Sequence, residues 1–122
     1  MVVDDCKDVN YTFKMFLSKS DQRLEMHSFN DPLVSLQDFR PGLYDLIIID
    51  IRMPTINGFE LYNKVRELDS NVKICFLTTA SEIYYKDVIK EAFPDLGTRC
   101  FISKPIANRD LIKQVKVLFE LK

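Results

Sequence analysis

The sequence lacks an excess of either charge: 17 lysine and arginine residues are balanced by 18 aspartate and glutamate residues, for a formal net charge of −1. That balance disfavours a nucleic-acid binder that works through bulk charge, because such proteins normally carry a basic patch. No apolar run approaches the roughly 18 residues of a membrane span, and the opening Met-Val-Val-Asp-Asp is not a secretory signal peptide. We therefore expect a cytoplasmic protein without direct membrane or nucleic-acid contacts.

Cysteine and histidine are scarce as well. The three cysteines are far apart and include no Cys-x-x-Cys pair, so no zinc-type spacing is present. Cys75 and Cys100 lie in apolar segments and are interpreted as core residues. The single histidine, His27, has no partner that would make it a metal ligand or a phosphodonor, and it is left without a functional role.

What the chain does have is length and apolar content enough for one compact domain: 122 residues, of which 47% are hydrophobic. We expect residues 1–122 to form that single domain, with no output domain present. Strand-like and helix-like segments alternate along it. Strands are predicted at 1–3, 23–29, 44–51, 72–77 and 99–102, and helices at 8–20, 33–39, 58–69, 81–93 and 108–121.

The third predicted strand decides the fold class. Its residues 46–49 are Leu-Ile-Ile-Ile, an uninterrupted apolar run rather than an alternating one. Such runs are typical of strands in parallel sheets that helices cover on both faces. Strands alternating with helices then predict a three-layer, doubly wound α/β domain with right-handed crossovers.

In a sheet of this kind, ligands bind beyond the carboxyl ends of the strands, so the residues that follow each strand are the candidates for a site. Those residues are Asp4, Asp5, Asp50, Thr78, Thr79 and Lys104. Three carboxylates on one edge repel one another unless a cation neutralises them. Mg²⁺ is the natural choice, because it binds one or two carboxylates together with water and phosphate oxygens.

The chemistry that fits these groups is phosphoryl transfer to a carboxylate. An aspartate can attack phosphorus when a metal ion neutralises and orients the phosphate oxygens. A threonine hydroxyl and a lysine ammonium would hold two further oxygens. No histidine is needed as a base, because an ionised aspartate has no proton to lose.

These residues lie in motifs that resemble the receiver domain of two-component response regulators, the CheY-like group. The motifs are Val-Val-Asp-Asp at 2–5, Asp-Ile-Arg-Met-Pro at 50–54, Asn-Gly-Phe-Glu-Leu at 57–61, Phe-Leu-Thr at 76–78 and Phe-Ile-Ser-Lys-Pro at 101–105. The resemblance spans the whole chain. It implies a flavodoxin-like (βα)5 fold with a five-stranded parallel sheet in the order 2-1-3-4-5.

The resemblance also implies a metal site and a phosphoacceptor. Asp50 would accept the phosphoryl group and bind the metal ion. Asp5 would be the principal Mg²⁺ ligand, and Asp4 would help directly or through water. The backbone carbonyl of Arg52 would complete the set of protein ligands to the ion. Mn²⁺ would substitute for Mg²⁺.

A second set of residues would contact and sense the phosphoryl group. Thr78 would donate a hydrogen bond to it, with Thr79 as the alternate, and Lys104 would form an ion pair with it. Phe101 matches the aromatic residue that moves inward when the threonine moves, and Pro105 resembles the family's cis-proline.

The implied partners are a sensor histidine kinase or phosphotransfer protein upstream and a protein target or output domain downstream. The surface that changes would combine the fourth helix, the fifth strand and the fifth helix, and it could also form a homodimer. Such a module is a signalling domain rather than an enzyme, because it catalyses only its own phosphorylation and dephosphorylation.

Three other functions compete with this interpretation. A pseudo-receiver would share the fold and act as an interaction module without phosphorylation. A phosphohydrolase with an Asp nucleophile needs a second acid two residues later, where Arg52 stands. A flavodoxin-like electron carrier needs a phosphate loop after the first strand, where Asp4 and Asp5 would repel the phosphate of FMN.

Overall fold

The computed structural model describes residues 1–20, 25–53, 55–78, 101–103 and 113, with 16–20, 78 and 101–103 described by their backbone alone. Within these residues the elements are β1 (Val2–Val3), α1 (Lys7–Ser20), β2 (Ser28–Phe29), α2 (Pro32–Asp38), β3 (Leu46–Asp50), α3 (Gly58–Leu68), β4 (Lys73–Thr78) and β5 (Phe101–Ser103). The predicted helices at 81–93 and 108–121 lie outside the described residues, apart from Lys113, which is helical. None of the helices described is long and apolar enough to cross a membrane.

The five strands form one parallel sheet in the order β2-β1-β3-β4-β5. This confirms the predicted strand order and the doubly wound α/β class. The longest pairing joins β3 to β4, from Leu46 opposite Lys73 to Asp50 opposite Leu77. On the other side, β3 pairs with β1 over only two residues.

Strand β3 is buried along its whole length, as its apolar run predicts. Ile47 and Ile49 pack into a core cluster that contains Leu61 and Val65 of α3. The alternate residues of β3 face a second cluster, in which Phe13 of α1 is 1% exposed. Helices therefore cover both faces of the sheet, and the end of β3 is fixed from both sides.

Helix α2 begins one residue before the predicted range of 33–39, at the helix-start signal that Asp31 and Pro32 form in the sequence. The side chain of Asp31 accepts a hydrogen bond from the backbone N–H of Leu33 at 2.9 Å, and Pro32 occupies the first helical position. A capping aspartate satisfies an N–H that lacks a partner within the helix, and proline has no N–H to satisfy there.

The prediction of a strand at 23–29 is confirmed at Ser28–Phe29 and is wrong at residues 25–27, which are not in a strand. The reason is the length of its neighbour. An edge strand pairs only with the strand beside it, and β1 offers two residues, which pair with Ser28 and Phe29. His27 takes part in this pairing only through its backbone carbonyl, which accepts a hydrogen bond from the N–H of Val2 at 2.9 Å.

The amino group of Met1 should make the free energy of unfolding of the 122-residue chain depend on pH. It is buried and donates to the backbone oxygen of Leu46 at 2.9 Å. Burial lowers its pKa from 8.0 to about 5, with the charge of Asp45 opposing that shift. Between these pH values the unfolded chain holds a proton that the folded chain lacks. The free energy of unfolding should therefore fall by up to about 4 kcal/mol as the pH drops from 8 to 5.

Urea denaturation across this pH range measures the effect. The control is a variant with a two-residue N-terminal extension, in which an amide N–H replaces the amino group and does not titrate. The extended chain should lose less stability on acidification than the original chain. Equal pH profiles for the two chains would contradict the assignment.

Candidate functional site

Asp4 lies one residue beyond the end of β1 and is completely buried, with 0% of its surface exposed. Its backbone N–H donates to the carbonyl of Phe29 at 3.0 Å, which continues the pairing with β2 by one more bond. Its Oδ1 accepts from the backbone N–H of Cys6 at 2.9 Å. The carboxylate is thus fixed by the turn that follows the strand.

Asp50 is the last residue of β3 and is 4% exposed. The register between the strands places it beside Asp4, because Val3 pairs with Ile49 and the following residues are therefore neighbours. On its other side, Asp50 pairs with Leu77, and Thr78 comes next along β4. The carboxyl ends of three strands therefore meet here.

Three carboxylates form one cluster at this edge. Asp4, Asp5 and Asp50 each offer an oxygen, and these oxygens all lie within 4.8 Å of one another. Asp5 is exposed, whereas the other two are buried. The cluster can hold a divalent cation, because hard cations such as Mg²⁺ take carboxylate oxygens and keep several waters on their open side.

The loop from β3 to α3 passes close to the cluster. Arg52, two residues after Asp50, is exposed. Gly58 begins α3, and its N–H donates to the carbonyl of Ile51 at 2.8 Å. The side chain of Asn57 caps the helix by accepting from the N–H of Glu60 at 3.0 Å. The Asn-Gly pair in the sequence thus has a local structural reason, since it seats α3 against the end of β3.

The structure describes only the backbone of two of the remaining predicted site residues, Thr78 and Phe101. Thr78 ends β4, and its backbone pairs with Ser103 of β5, while Phe101 pairs with Phe76. The side chains of Thr78 and Phe101 are not among those described. Thr79, Lys104 and Pro105 lie outside the described residues.

Sequence reasoning missed one residue of this region, Asn10 of α1. Its Nδ2 donates to the backbone oxygens of Asp4 at 2.9 Å and of Phe29 at 3.3 Å. The available signal was a polar residue one position from Val9 and three from Phe13, on the apolar stripe of the helix.

Residues 1–116 match the family model described as the response regulator receiver domain. The chain belongs to this family. Receiver domains are signalling modules of two-component systems, which interact with histidine kinases and output domains. The fold and the acidic cluster described above agree with that membership.

Individual relatives show how much of a larger protein the receiver domain covers. The chain is 27% identical to the cyclic di-GMP phosphodiesterase response regulator RpfG of Xanthomonas campestris, spanning 100% of this chain and 32% of RpfG. It is 28% identical to the transcriptional regulatory protein DltR of Streptococcus agalactiae. That alignment covers 96% of this chain and 50% of DltR. The chain therefore spans half or less of the length of these two curated relatives.

A solved structure supports the same fold over nearly its full length. The chemotaxis response regulator CheY4 of Vibrio cholerae has a TM-score of 0.75 and 26% identity to this chain. The alignment covers 96% of this chain and 94% of CheY4. The described part of this receiver domain thus has the same architecture as a response regulator little longer than itself.

Replacing Gly58 by alanine should disturb this receiver domain at the acidic cluster. An added Cβ would lie 2.5 Å from the carbonyl oxygen of Asp50 and 2.9 Å from Cα of Ile51, so backbone must move. We expect Gly58→Ala to lower the free energy of unfolding by about 1–3 kcal/mol and to weaken Mn²⁺ binding. Urea denaturation and calorimetric titration measure the two effects.

Gly42→Ala is the matched control. Gly42 has a φ of +79° and no atom within 4 Å of an added Cβ, so the variant carries backbone strain alone. We expect it to lose roughly 1–2 kcal/mol of stability and to bind Mn²⁺ normally. Unchanged metal affinity in both variants would show that Gly58 does not position the site.

Thr55, in the loop between Asp50 and α3, should be a stabilisation site. Its φ of 75° lies in the left-handed region, which is unfavourable for a β-branched residue. Thr55→Gly should raise the free energy of unfolding by about 1 kcal/mol, after the entropy that glycine loses on folding is subtracted. Thr55→Ala retains a Cβ and should gain less, and an equal gain in urea denaturation would contradict the strain argument.

Proposed function

We propose that this receiver domain, residues 1–122, accepts a phosphoryl group on Asp50 from a sensor histidine kinase or phosphotransfer protein in a Mg²⁺-dependent reaction. The observation that carries the proposal is the carboxylate cluster. Oxygens of Asp4, Asp5 and Asp50 lie within 4.8 Å of one another at the carboxyl edge of a parallel sheet, which is where such folds bind ligands.

The residues present fit a magnesium ion. Asp4, Asp5 and Asp50 would hold it together with the backbone carbonyl of Arg52, and exposed Asp5 leaves the outer side of the cluster open to water and phosphate. When bound, the ion would neutralise phosphate oxygens and align them for in-line displacement. Mn²⁺ has similar ligand preferences and should replace it.

In the transfer itself, a carboxylate oxygen of Asp50 attacks the phosphorus atom of a phosphohistidine. A P–O bond forms while the P–N bond breaks, and the imidazole leaves with the electron pair of that bond. No general base is required when the carboxylate attacks in its ionised form, because that form has no proton to lose. The rigid end of β3 supplies positioning, which is the main contribution of a protein to phosphoryl transfer.

Two further side chains are proposed to hold the phosphoryl oxygens. Thr78 follows Leu77, the partner of Asp50 in the sheet, and it would donate its hydroxyl, with Thr79 as the alternate. Lys104 follows Ser103, which pairs with Thr78, and it would supply the ion pair. The strand register supports both assignments, because it brings Thr78 and Ser103, the residue before Lys104, to the edge where Asp50 ends β3.

The phosphoryl group would then change the surface around β5. It adds close to two negative charges at pH 7 to an edge that already has three acids. Movement of Thr78 and Lys104 toward those charges would leave space for Phe101, with Pro105 shaping the turn after β5. The surface made by β5 and the helices predicted at 81–93 and 108–121 would present the change to a protein target, an output domain or a second copy.

The decisive experiment is intact-mass measurement after incubation with a small-molecule phosphodonor and Mg²⁺. We expect one added phosphoryl group, which is absent when EDTA removes the metal ion. Asp50→Asn should abolish the addition, because an amide does not attack phosphorus. Asp5→Asn should retain it but require more Mg²⁺, since one metal ligand is weakened.

Asp38→Asn is the matched control, because it removes a carboxylate from the exposed end of α2, away from the cluster. It should be phosphorylated like the original chain. A folded protein that gains no phosphoryl group under any of these conditions would support the pseudo-receiver instead. Addition that persists in Asp50→Asn would place the acceptor elsewhere.

A further inference from the structure

We infer that Asn10 is a positioning residue for the metal site, because its side-chain amide fixes Asp4 against the end of the neighbouring strand. The inference rests on the proposed function, in which Asp4 helps to bind the cation. Asn10 would not contact the metal ion or the phosphoryl group. It would act on the backbone of Asp4 and set where that carboxylate lies before the cation arrives.

The contacts are specific. Asn10 is 7% exposed, and its Nδ2 donates to the carbonyl oxygen of Asp4 at 2.9 Å and to that of Phe29 at 3.3 Å. A single amide NH₂ group thus uses both of its hydrogens on backbone oxygens from two adjacent chain segments. One helix side chain bridges the ends of β1 and β2.

The bridge is needed because β1 ends early. The strand contains only Val2 and Val3, so Asp4 lies outside it although it is completely buried. The backbone N–H of Asp4 still reaches Phe29, but its carbonyl lies past the last paired residue of the strand. Asn10 supplies a donor for that carbonyl and so replaces the bond that a longer strand would have made.

The same side chain shows that packing alone does not explain Asn10. Its Oδ1 is buried and has no hydrogen-bond partner among the residues that the structure describes. A buried oxygen without a partner is unfavourable, and an apolar residue would avoid it. The amide instead donates two hydrogen bonds, to the backbone oxygens of Asp4 and Phe29, at the end of β1 next to the carboxylate cluster.

The consequence for the cation follows from the cluster geometry. The Asp4 carboxylate is oriented on one side by the N–H of Cys6, and its backbone is held on the other by Asn10. Without Asn10, the end of β1 would move more freely, and the oxygen of Asp4 would occupy its place beside Asp50 less of the time. Cation binding would then include the cost of ordering Asp4.

The test compares Asn10→Ala, Asn10→Ser and the original chain, with Asn63→Ala as the matched control, because Asn63 is an exposed asparagine on α3. Mn²⁺ alone is titrated calorimetrically into metal-free protein. We expect Asn10→Ala to bind about tenfold more weakly, at the lower end of the effect of residues that orient metal ligands. Asn10→Ser retains one donor and should recover part of the loss, and Asn63→Ala should bind normally.

A second measurement does not involve metal. Amide hydrogen exchange of the metal-free protein should show faster exchange at Asp4 in Asn10→Ala, while Ile48 in the middle of β3 stays as protected as in the original chain. Urea denaturation gives the stability of each variant. If Asn10→Ala does not fold, Asn10→Ser carries both comparisons.

The outcomes separate the inference from the proposed function. Unchanged Mn²⁺ affinity in folded Asn10→Ala overturns the inference, and it does so even if the variant is less stable, because Asn10 is then merely structural. Unchanged exchange at Asp4 overturns it as well. If the original chain binds no Mn²⁺, the metal site of the proposed function is wrong and the inference falls with it. Normal binding in the original chain and loss in Asn10→Ala support both.

Discussion

Everything in this receiver domain's candidate site depends on holding three carboxylates within 4.8 Å of one another. Ionised carboxylates at that distance repel, and repulsion is least screened where the groups are buried, as Asp4 and Asp50 are. The fold must therefore supply the energy that keeps them together. That energy comes from the apolar sheet behind them, since β3 is buried on both faces and cannot shift without breaking two core clusters.

The two halves of the cluster are supported very differently. Asp50 ends a five-residue strand that pairs along its whole length with β4, and Gly58 seats α3 against its backbone. Asp4 follows a two-residue strand, so ladder bonds fix it less, and side-chain and turn contacts from Asn10 and Cys6 complete its support. Local opening should begin on the β1 and β2 side, because fewer backbone bonds resist it there.

The residues differ in how far sequence could predict them. The run at 46–49 predicted a buried parallel strand, and Asp31 with Pro32 predicted a helix start, because both signals are local. The meeting of Asp4 and Asp50 also followed, since parallel strands end at one edge. The length of β2 and the role of Asn10 did not follow. Both depend on how early β1 ends, which is a property of the assembled sheet and not of either segment.

The environment of each carboxylate also bears on which one would accept phosphate. Asp4 has its Oδ1 engaged by the N–H of Cys6 and is the most enclosed of the three, so a phosphodonor would reach it least easily. Asp5 is exposed and lies two residues beyond the end of β1, so water competes for its oxygens and no strand fixes their direction. Asp50 is fixed by a paired strand at the meeting point of β1, β3 and β4, between the other two acids and Thr78. In-line transfer requires a nucleophile that is held in one position. Among these three carboxylates, only that of Asp50 belongs to a residue that is itself paired in the sheet.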